Sequence, residues 1–319
     1  MSVPPRVPGR LVGVAGLATH VVAEPGPGSG ARPPVLLSSG LGGGWYDWKL
    51  VLPRLAEHAP ALCFDRPGLG WSEPSRLGPT LAGEAERIKA LLTTPGVLAP
   101  GAAPVGPAVV VGFSLSGFHV EAFARLHPEL VAGMVLIDGS AEPEPAAPPT
   151  PEQAARSLEL WQTVGQFAAR TGAAALGTPL MRALAVRATR LGGADLADAA
   201  EVSAAGASGR VFTAGLLENA TYHALAAQLL ELRCERPFPQ ELPLRVIAAY
   251  GVSPVARLLP FAGGSLRRRR EQWRARQQQL TRMSAHGKLI ELEDSAHFVP
   301  YDRPDAIVEA VAEVWAQLV

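Results

Sequence analysis

The sequence has little cysteine and few charged residues. Its two cysteines lie far apart among 319 residues, which argues against a disulfide framework and fits a reducing compartment. Charged residues make up 18% of the chain, and 29 acidic residues balance 29 basic ones, so the basic excess typical of nucleic-acid-binding proteins is absent. No apolar run approaches the roughly 20 residues of a membrane span, and prolines interrupt the N-terminal stretch where a signal peptide needs its apolar segment. We therefore expect a cytoplasmic protein without nucleic-acid or membrane partners.

Apolar residues are abundant, at 48% of the chain, which is sufficient for a large core. Short β-type runs alternate with helical patterns, which predicts a mostly parallel, doubly wound, eight-stranded α/β sheet with helices on both faces. The predicted strands are Leu11–Val14, Thr19–Ala23, Val35–Ser38, Ala61–Phe64, Ala108–Gly112, Val131–Asp138, Leu244–Ala249 and Lys288–Leu292. The predicted helices are Asp47–His58, Leu81–Thr93, Ser114–Leu126, Leu266–Ser284 and Pro304–Leu318.

One long interval of the chain has no strand pattern. It opens with a proline-rich linker in which Thr150 has the position of a helix N-cap, and helical patterns rich in alanine and leucine follow. We therefore divide the chain into a core, residues 1–140 and 241–319, and an inserted all-helical cap, residues 141–240.

A turn of small residues follows the valine-rich strand and precedes a helical pattern. Gly112 and Ser116 lie two residues on either side of Ser114, and small residues there allow the tight strand-to-helix turn of a nucleophile elbow. Such a turn lifts the Ser114 hydroxyl to the helix N-terminus, where the Leu115 N–H is a natural oxyanion donor. Two alternatives stay open: Ser114 as the N-cap of an ordinary turn, and Ser116 as the nucleophile.

A serine nucleophile needs a base within hydrogen-bond reach. His297 follows the last predicted strand and so lies at the carboxyl ends of the strands, where open α/β sheets carry their chemistry. His286 precedes that strand and lies at the opposite end. We predict His297 as the general base and His119 as a packing or pocket-wall residue. The remaining histidines are predicted to be surface or turn residues: His20, His58, His127 and His223.

The third member of such a site is a carboxylate that fixes the imidazole tautomer. No Asp or Glu occurs between Glu241 and Glu271, so none directly follows the seventh predicted strand. We therefore predict Asp138, at the end of the sixth strand, as the acid. The alternatives are that Asp138 merely forms the strand-end turn, or that Asp294 is the acid. Asp65 is predicted to organise the turn that follows it.

A glycine-rich loop, residues 38–44, follows the third strand. It lacks the lysine of a P-loop, and Trp45 occupies the place of the third glycine of a dinucleotide fingerprint. The loop suits the second half of an oxyanion hole, with the Leu41 N–H as donor. Ser39 and Gly40 are predicted substrate contacts. Apolar residues of the insertion are predicted either to line the substrate pocket or to pack the cap helices, among them Trp161 and Phe212. We predict no cofactor and no metal.

Several motifs together resemble the α/β-hydrolase superfamily. They are SSGLGGGWYDW at 38–48, FDRPGLGWSEP at 64–74, GFSLSG at 112–117, HPELVAGMVLIDGS at 127–140 and DSAHFVPYDRPDAIVEAV at 294–311. The order Ser114, Asp138, His297 matches the nucleophile, acid and base order of the family. The resemblance implies a serine esterase that works through an acyl-enzyme, and the apolar residues of the insertion favour a small, apolar substrate.

The sequence departs from common family patterns in two respects, and it differs from particular branches of the family at two further positions. Ser39 stands where many members carry histidine, and the acid follows the sixth strand instead of the seventh. Ser114 stands where epoxide hydrolases and haloalkane dehalogenases have aspartate, and Leu115 stands where aminopeptidase relatives usually have tryptophan. Two alternatives to ester hydrolysis stay open: an acyltransferase or peracid-forming enzyme with the same three residues, and a non-catalytic ligand-binding member. The sequence does not indicate an oligomeric state.

Overall fold

The computed structural model describes residues 7–27, 32–75, 78–141, 150–174, 177, 209–251 and 263–318. Its core is one eight-stranded sheet of order β1-β2-β4-β3-β5-β6-β7-β8. The strands are β1 (Arg10–Val14), β2 (Leu17–Glu24), β3 (Val35–Ser38), β4 (Ala61–Phe64), β5 (Ala108–Phe113), β6 (Val131–Ile137), β7 (Leu244–Ala249) and β8 (Gly287–Leu292). The first two strands pair antiparallel, β2 is also antiparallel to β4, and all other pairs are parallel. The predicted fold class is thus confirmed.

Helices cover both faces of the sheet. They are α1 (Leu52–Ala56), α2 (Leu81–Thr93), α3 (Ser116–Leu126), α4 (Pro151–Thr171), α5 (Gly209–Glu235), α6 (Gly263–Thr281), α7 (Val299–Asp302) and α8 (Pro304–Ala316), with 3-10 turns at Trp45–Trp48 and Pro128–Leu130. The prediction of one helix over Asp47–His58 is wrong. A 3-10 turn comes first and α1 begins only at Leu52, because Pro53 lacks an N–H and is tolerated in the first turn of a helix but not in its interior.

The central strand β5 explains why the core has two halves. Val109 and Val111 point to the side covered by α8, where they join a cluster containing Val314. Val110 points to the other side and packs in a cluster with residues of α2 and α3. All three valines are fully buried, as expected for a strand enclosed on both faces.

The described part of the predicted insertion consists of α4 and α5. Thr150 caps α4 by accepting a hydrogen bond from the Gln153 N–H, and the helix ends before Gly172, whose φ is 76°. The two helices pack closely, since a methyl group on Gly165 would lie 2.4 Å from the Thr213 hydroxyl. The cap as a unit stays a prediction, because residues 142–149, 175–176 and 178–208 lie outside the described residues. None of the described helices combines the length and apolar character that crossing a membrane requires.

Candidate active site

The turn between β5 and α3 places Ser114 in a left-handed backbone conformation, with φ of 53°. The prediction that the helix begins at Ser114 is wrong, because α3 begins at Ser116. The turn has no room for a side chain at Gly112, where a methyl group would lie 2.6 Å from Val120 Cγ2 and 2.8 Å from the Ser116 carbonyl oxygen. The Ser114 N–H donates to the Ile137 carbonyl at 3.0 Å, which fixes the turn to the neighbouring strand. This is the geometry of a nucleophile elbow.

The alternative nucleophile, Ser116, is fully buried. Its hydroxyl lies 2.6 Å from the Ser38 carbonyl oxygen and 2.9 Å from the Phe113 carbonyl oxygen, both of which accept hydrogen bonds. It therefore links the start of α3 to the glycine-rich loop, while Ser114 remains half-buried at the surface of the turn.

Three side chains distant in sequence meet above the carboxyl ends of the central strands. Ser114 Oγ lies 3.0 Å from His297 Nε2, and His297 Nδ1 lies 2.5 Å from Asp138 Oδ2. An imidazole that donates from Nδ1 to the carboxylate leaves Nε2 as the acceptor facing the serine hydroxyl. The His297 ring rests on the Phe113 ring at a centroid distance of 5.1 Å, and its side chain is 47% exposed. The arrangement can pass a proton from serine to imidazole.

The Asp138 carboxylate is held by two further donors. Its Oδ1 accepts from the Ala249 N–H at 3.1 Å and from Trp273 Nε1 at 2.8 Å, and the residue is only 4% exposed. The alternative acid, Asp294, instead forms an ion pair with Arg303 at 2.8 Å. The structure therefore brings Asp138 to His297. Trp273 was not predicted, although a lone tryptophan in the polar segment 267–279 is a signal that its ring is used.

The glycine-rich loop lies directly against Ser114. A methyl group on Gly40 would be 3.2 Å from Ser114 Cβ and 3.1 Å from the Phe113 ring, so glycine permits this approach. The hydroxyl of Ser39, predicted as a substrate contact, is buried, donates to the Gly44 carbonyl at 2.9 Å and accepts from Trp48 Nε1 at 2.8 Å. Ser39 is thus placed as a support of the loop.

An ion pair that the sequence did not reveal lies behind this loop. Arg66 Nε donates to Glu218 Oε1 at 2.6 Å, and the two residues are 3% and 5% exposed. Arg66 also donates to the carbonyls of Ser39 and Gly40, and Glu218 accepts from the Gly42 N–H. One available signal was an acid directly after the apolar run Ala214–Leu217 of the insertion.

Comparison with known proteins places these residues in a family. The model of the Alpha/beta hydrolase family matches residues 35–310, a range that includes Ser114, Asp138 and His297. The chain belongs to the α/β-hydrolase family. A solved enol-lactonase from Burkholderia xenovorans LB400 superposes on this α/β-hydrolase with a TM-score of 0.63 at 20% identity, covering 96% of this chain and 99% of that one. The likeness to that structure shows the fold.

Two curated relatives of this α/β-hydrolase are similar over shorter segments. An esterase of Mycobacterium tuberculosis is 36% identical over 112 residues, or 34% of each chain. A 2-hydroxymuconate semialdehyde hydrolase of Pseudomonas sp. is 32% identical over 146 residues, or 44% of this chain and 47% of that protein. The chain thus spans about a third to a half of the length of the curated relatives it matches.

Two histidines of this α/β-hydrolase are buried. The prediction of His20 as a surface or turn residue is wrong: it is fully buried, and its Nδ1 lies 2.7 Å from Asp65 Oδ2. Asp65 also accepts from the backbone N–H groups of Trp45 and Trp71 at 2.7 and 3.0 Å. Its carboxylate therefore joins β2, the end of the glycine-rich loop and the turn that follows β4. A buried carboxylate needs donors, which accounts for a buried imidazole beside it. His119, in α3, is the second buried histidine.

The two aromatic residues predicted as substrate contacts lie on the insertion helices. Trp161 on α4 and Phe212 on α5 are half-buried. The Phe212 ring packs at Gly177, where a methyl group would lie 2.9 Å from it. Their role as substrate contacts stays a prediction.

Burial of His119 predicts acid sensitivity of the fold. Burial and the neighbouring charges of Arg66 and Arg87 hold the pKa of His119 well below its usual value. The unfolded chain then binds more protons below about pH 6.5, so the free energy of unfolding falls as the pH drops, by up to about 1.4 kcal/mol per unit. Glu84 opposes this, because burial raises its pKa, and the folded state takes up that proton more readily.

The contribution of His119 is isolated by comparison with His119→Phe. Denaturant unfolding at pH 7 and pH 5.5 is expected to show a smaller loss of stability for the variant than for the wild type. Equal losses of unfolding free energy in the wild type and in His119→Phe would contradict the assignment of the acid sensitivity to His119.

Proposed function

We propose that this protein hydrolyses carboxylic esters of small, apolar acyl substrates through an acyl-enzyme on Ser114. One observation carries the proposal: the unbroken chain of contacts from Ser114 Oγ through His297 to Asp138, at 3.0 and 2.5 Å. Hydroxyl, imidazole and carboxylate in this order form the general arrangement for serine nucleophilic catalysis.

The reaction follows from the two imidazole nitrogens. Ser114 Oγ attacks the acyl carbon while its proton passes to His297 Nε2, and the carbonyl becomes a tetrahedral oxyanion. His297 then gives that proton to the alcohol oxygen as the ester C–O bond breaks, which leaves the acyl group on Ser114. Water loses a proton to the same nitrogen and attacks the acyl carbon. The acid leaves and Ser114 regains its proton, while Asp138 stabilises the imidazolium in both halves.

The oxyanion needs donors that are in place before it forms. The Leu115 N–H, at the start of α3, and the Leu41 N–H, in the loop against Ser114, are the donors in this proposal. Neither N–H donates to another group within the described part of the chain, so both are available for the oxyanion.

Hydrolysis is favoured over acyl transfer because the His297 side chain is 47% exposed, which gives water access to the acyl group. The names of matched proteins, an esterase and an enol-lactonase, point to the same class of bond. The two described helices of the insertion supply apolar residues for an apolar acyl part.

The test is a series of p-nitrophenyl esters of increasing acyl length, with mass spectrometry of the acid-quenched enzyme. We expect release of p-nitrophenol and an acyl group on the peptide containing Ser114. Faster product formation with an added alcohol or peroxide acceptor would instead indicate an acyltransferase or peracid-forming enzyme. No turnover and no labelling by a fluorophosphonate would indicate a ligand-binding protein.

A further inference from the structure

The predicted oxyanion loop contains four glycines, Gly40, Gly42, Gly43 and Gly44. Glycine has the largest backbone freedom of any residue, so such a loop does not hold one conformation by itself. An oxyanion donor is effective only when it is fixed before the charge develops. Two hydrogen bonds within the loop, from Ser39 Oγ to the Gly44 carbonyl at 2.9 Å and from the Gly43 N–H to the Gly40 carbonyl at 3.0 Å, are joined by contacts from groups outside it.

Arg66 binds the carbonyl groups of the loop. Its Nη1 donates to the Ser39 carbonyl at 2.5 Å, and its Nη2 donates to the Gly40 carbonyl at 2.7 Å. The peptide unit joining Gly40 to Leu41 is planar and trans, so its C=O and N–H point in opposite directions. The guanidinium and the Gly43 N–H both donate to the Gly40 oxygen, and together they set the direction of the Leu41 N–H, which is the proposed oxyanion donor.

Glu218 closes the arrangement from α5. Its two carboxylate oxygens accept from Arg66 Nε at 2.6 Å and from Arg66 Nη2 at 2.9 Å, and Oε2 also accepts from the Gly42 N–H at 2.7 Å. The same carboxylate therefore orients the guanidinium and binds the loop directly. Burial lowers the pKa of Arg66, but the hydrogen bonds to Glu218 and the negative charges of Glu218, Glu84 and Asp47 together outweigh it, so the pKa of Arg66 lies above its usual value.

We propose that Arg66 and Glu218 are positioning residues that fix the Gly40–Leu41 peptide for oxyanion binding. This inference rests on the proposed ester hydrolysis. A buried ion pair is often no more stabilising than apolar side chains of the same volume, and here three of its hydrogen bonds end on the backbone of one loop. The arrangement thus has a specific consequence for the loop, beyond general stability.

Kinetics of Glu218→Gln and Arg66→Lys test the proposal. Glutamine keeps the shape but loses the charge, and lysine keeps the charge but cannot donate to two carbonyls and a carboxylate in one plane. We expect kcat to fall by about 10- to 100-fold, less than or similar to the loss of one oxyanion donor, with KM changed by less than about threefold. Affinity for a boronic acid, whose adduct on Ser114 resembles the tetrahedral intermediate, should fall in parallel with kcat/KM.

Arg233→Gln is the matched control. Arg233 also lies on α5 and donates to Glu121 of α3 at 2.8 and 2.7 Å, so it too ties α5 to the core by an ion pair. Glu121 retains Arg125 as partner in this variant, since Arg125 Nε donates to it at 2.9 Å. We expect wild-type kcat for the control. An equal loss of kcat in Glu218→Gln and Arg233→Gln would show that kcat depends on the attachment of α5 to the core and not on the contacts with the loop.

Amide hydrogen exchange separates this inference from the proposed function. Peptides covering residues 38–44 should exchange faster in Glu218→Gln and Arg66→Lys than in the wild type. In Arg233→Gln their exchange rate should equal that of the wild type. If the wild type cleaves esters and the two variants keep full kcat, the positioning role is wrong. If the wild type cleaves no ester and takes no fluorophosphonate label, the proposed function is wrong. If exchange of residues 38–44 is the same in Glu218→Gln and Arg66→Lys as in the wild type, the two residues do not fix the loop.

Discussion

Replacement of Ser114 by alanine is expected to abolish ester hydrolysis, lowering kcat by about 10⁴- to 10⁶-fold. The substitution removes the oxygen that lies 3.0 Å from His297 Nε2, and no acyl-enzyme can form without it. The fold should be unaffected, because alanine keeps the Cβ that serine already places at φ of 53°, and the residue is only half-buried. The measurements are the rate of p-nitrophenol release and the midpoint of thermal unfolding.

Ser116→Ala is the informative comparison. Its hydroxyl is buried and bonded to the carbonyls of Ser38 and Phe113, so the variant is expected to be less stable by about 1 to 3 kcal/mol. It should nevertheless bind one fluorophosphonate per chain, as the wild type does. Label that is lost in Ser116→Ala and retained in Ser114→Ala would reverse the assignment of the nucleophile.

Local patterns in the sequence predicted most of the core. The bounds of β3, β4 and β7 agree with the predicted Val35–Ser38, Ala61–Phe64 and Leu244–Ala249, because a buried strand between turns is a continuous apolar run. The turn at Ser114 could also be predicted from local sequence, since the small residues that it requires lie within two positions of Ser114. Asp138 followed from topology: no acid comes directly after β7, and parallel strands end at the same edge of the sheet.

The supporting contacts were not predictable in this way. Arg66 and Glu218 lie 152 residues apart, and nothing near either residue indicates the other. Trp273 reaches Asp138 across 135 residues. Arg66 lies in the turn after β4, while Glu218 and Trp273 lie on helices, and the local pattern of none of these segments indicates a hydrogen-bond partner. Which loop a buried polar group binds depends on how α5 and α6 dock on the core, and that is a tertiary property.

Replacement of Asp138 by asparagine is expected to lower kcat by up to about 10⁴-fold through the wrong imidazole tautomer. The structure dictates how the new amide sits. The Ala249 N–H and Trp273 Nε1 both donate to the position of Oδ1, so the asparagine oxygen must occupy it. The amide NH₂ then faces His297 Nδ1 and forces that nitrogen to be an acceptor. The proton moves to Nε2, which can no longer take the proton of Ser114.

Asp294→Asn is the control for this effect, because Asp294 was the alternative acid and removal of its negative charge is the same chemical change. Asp294 is exposed and pairs with Arg303, so the expected cost is at most about 1 kcal/mol of stability, with little change in kcat. Crystals of Asp138→Asn should show His297 in its wild-type position, since the loss arises from a proton and not from displacement. A loss of less than about tenfold in Asp138→Asn would mean that the imidazole does not depend on this carboxylate for its tautomer, and that Asp138 serves mainly to end β6.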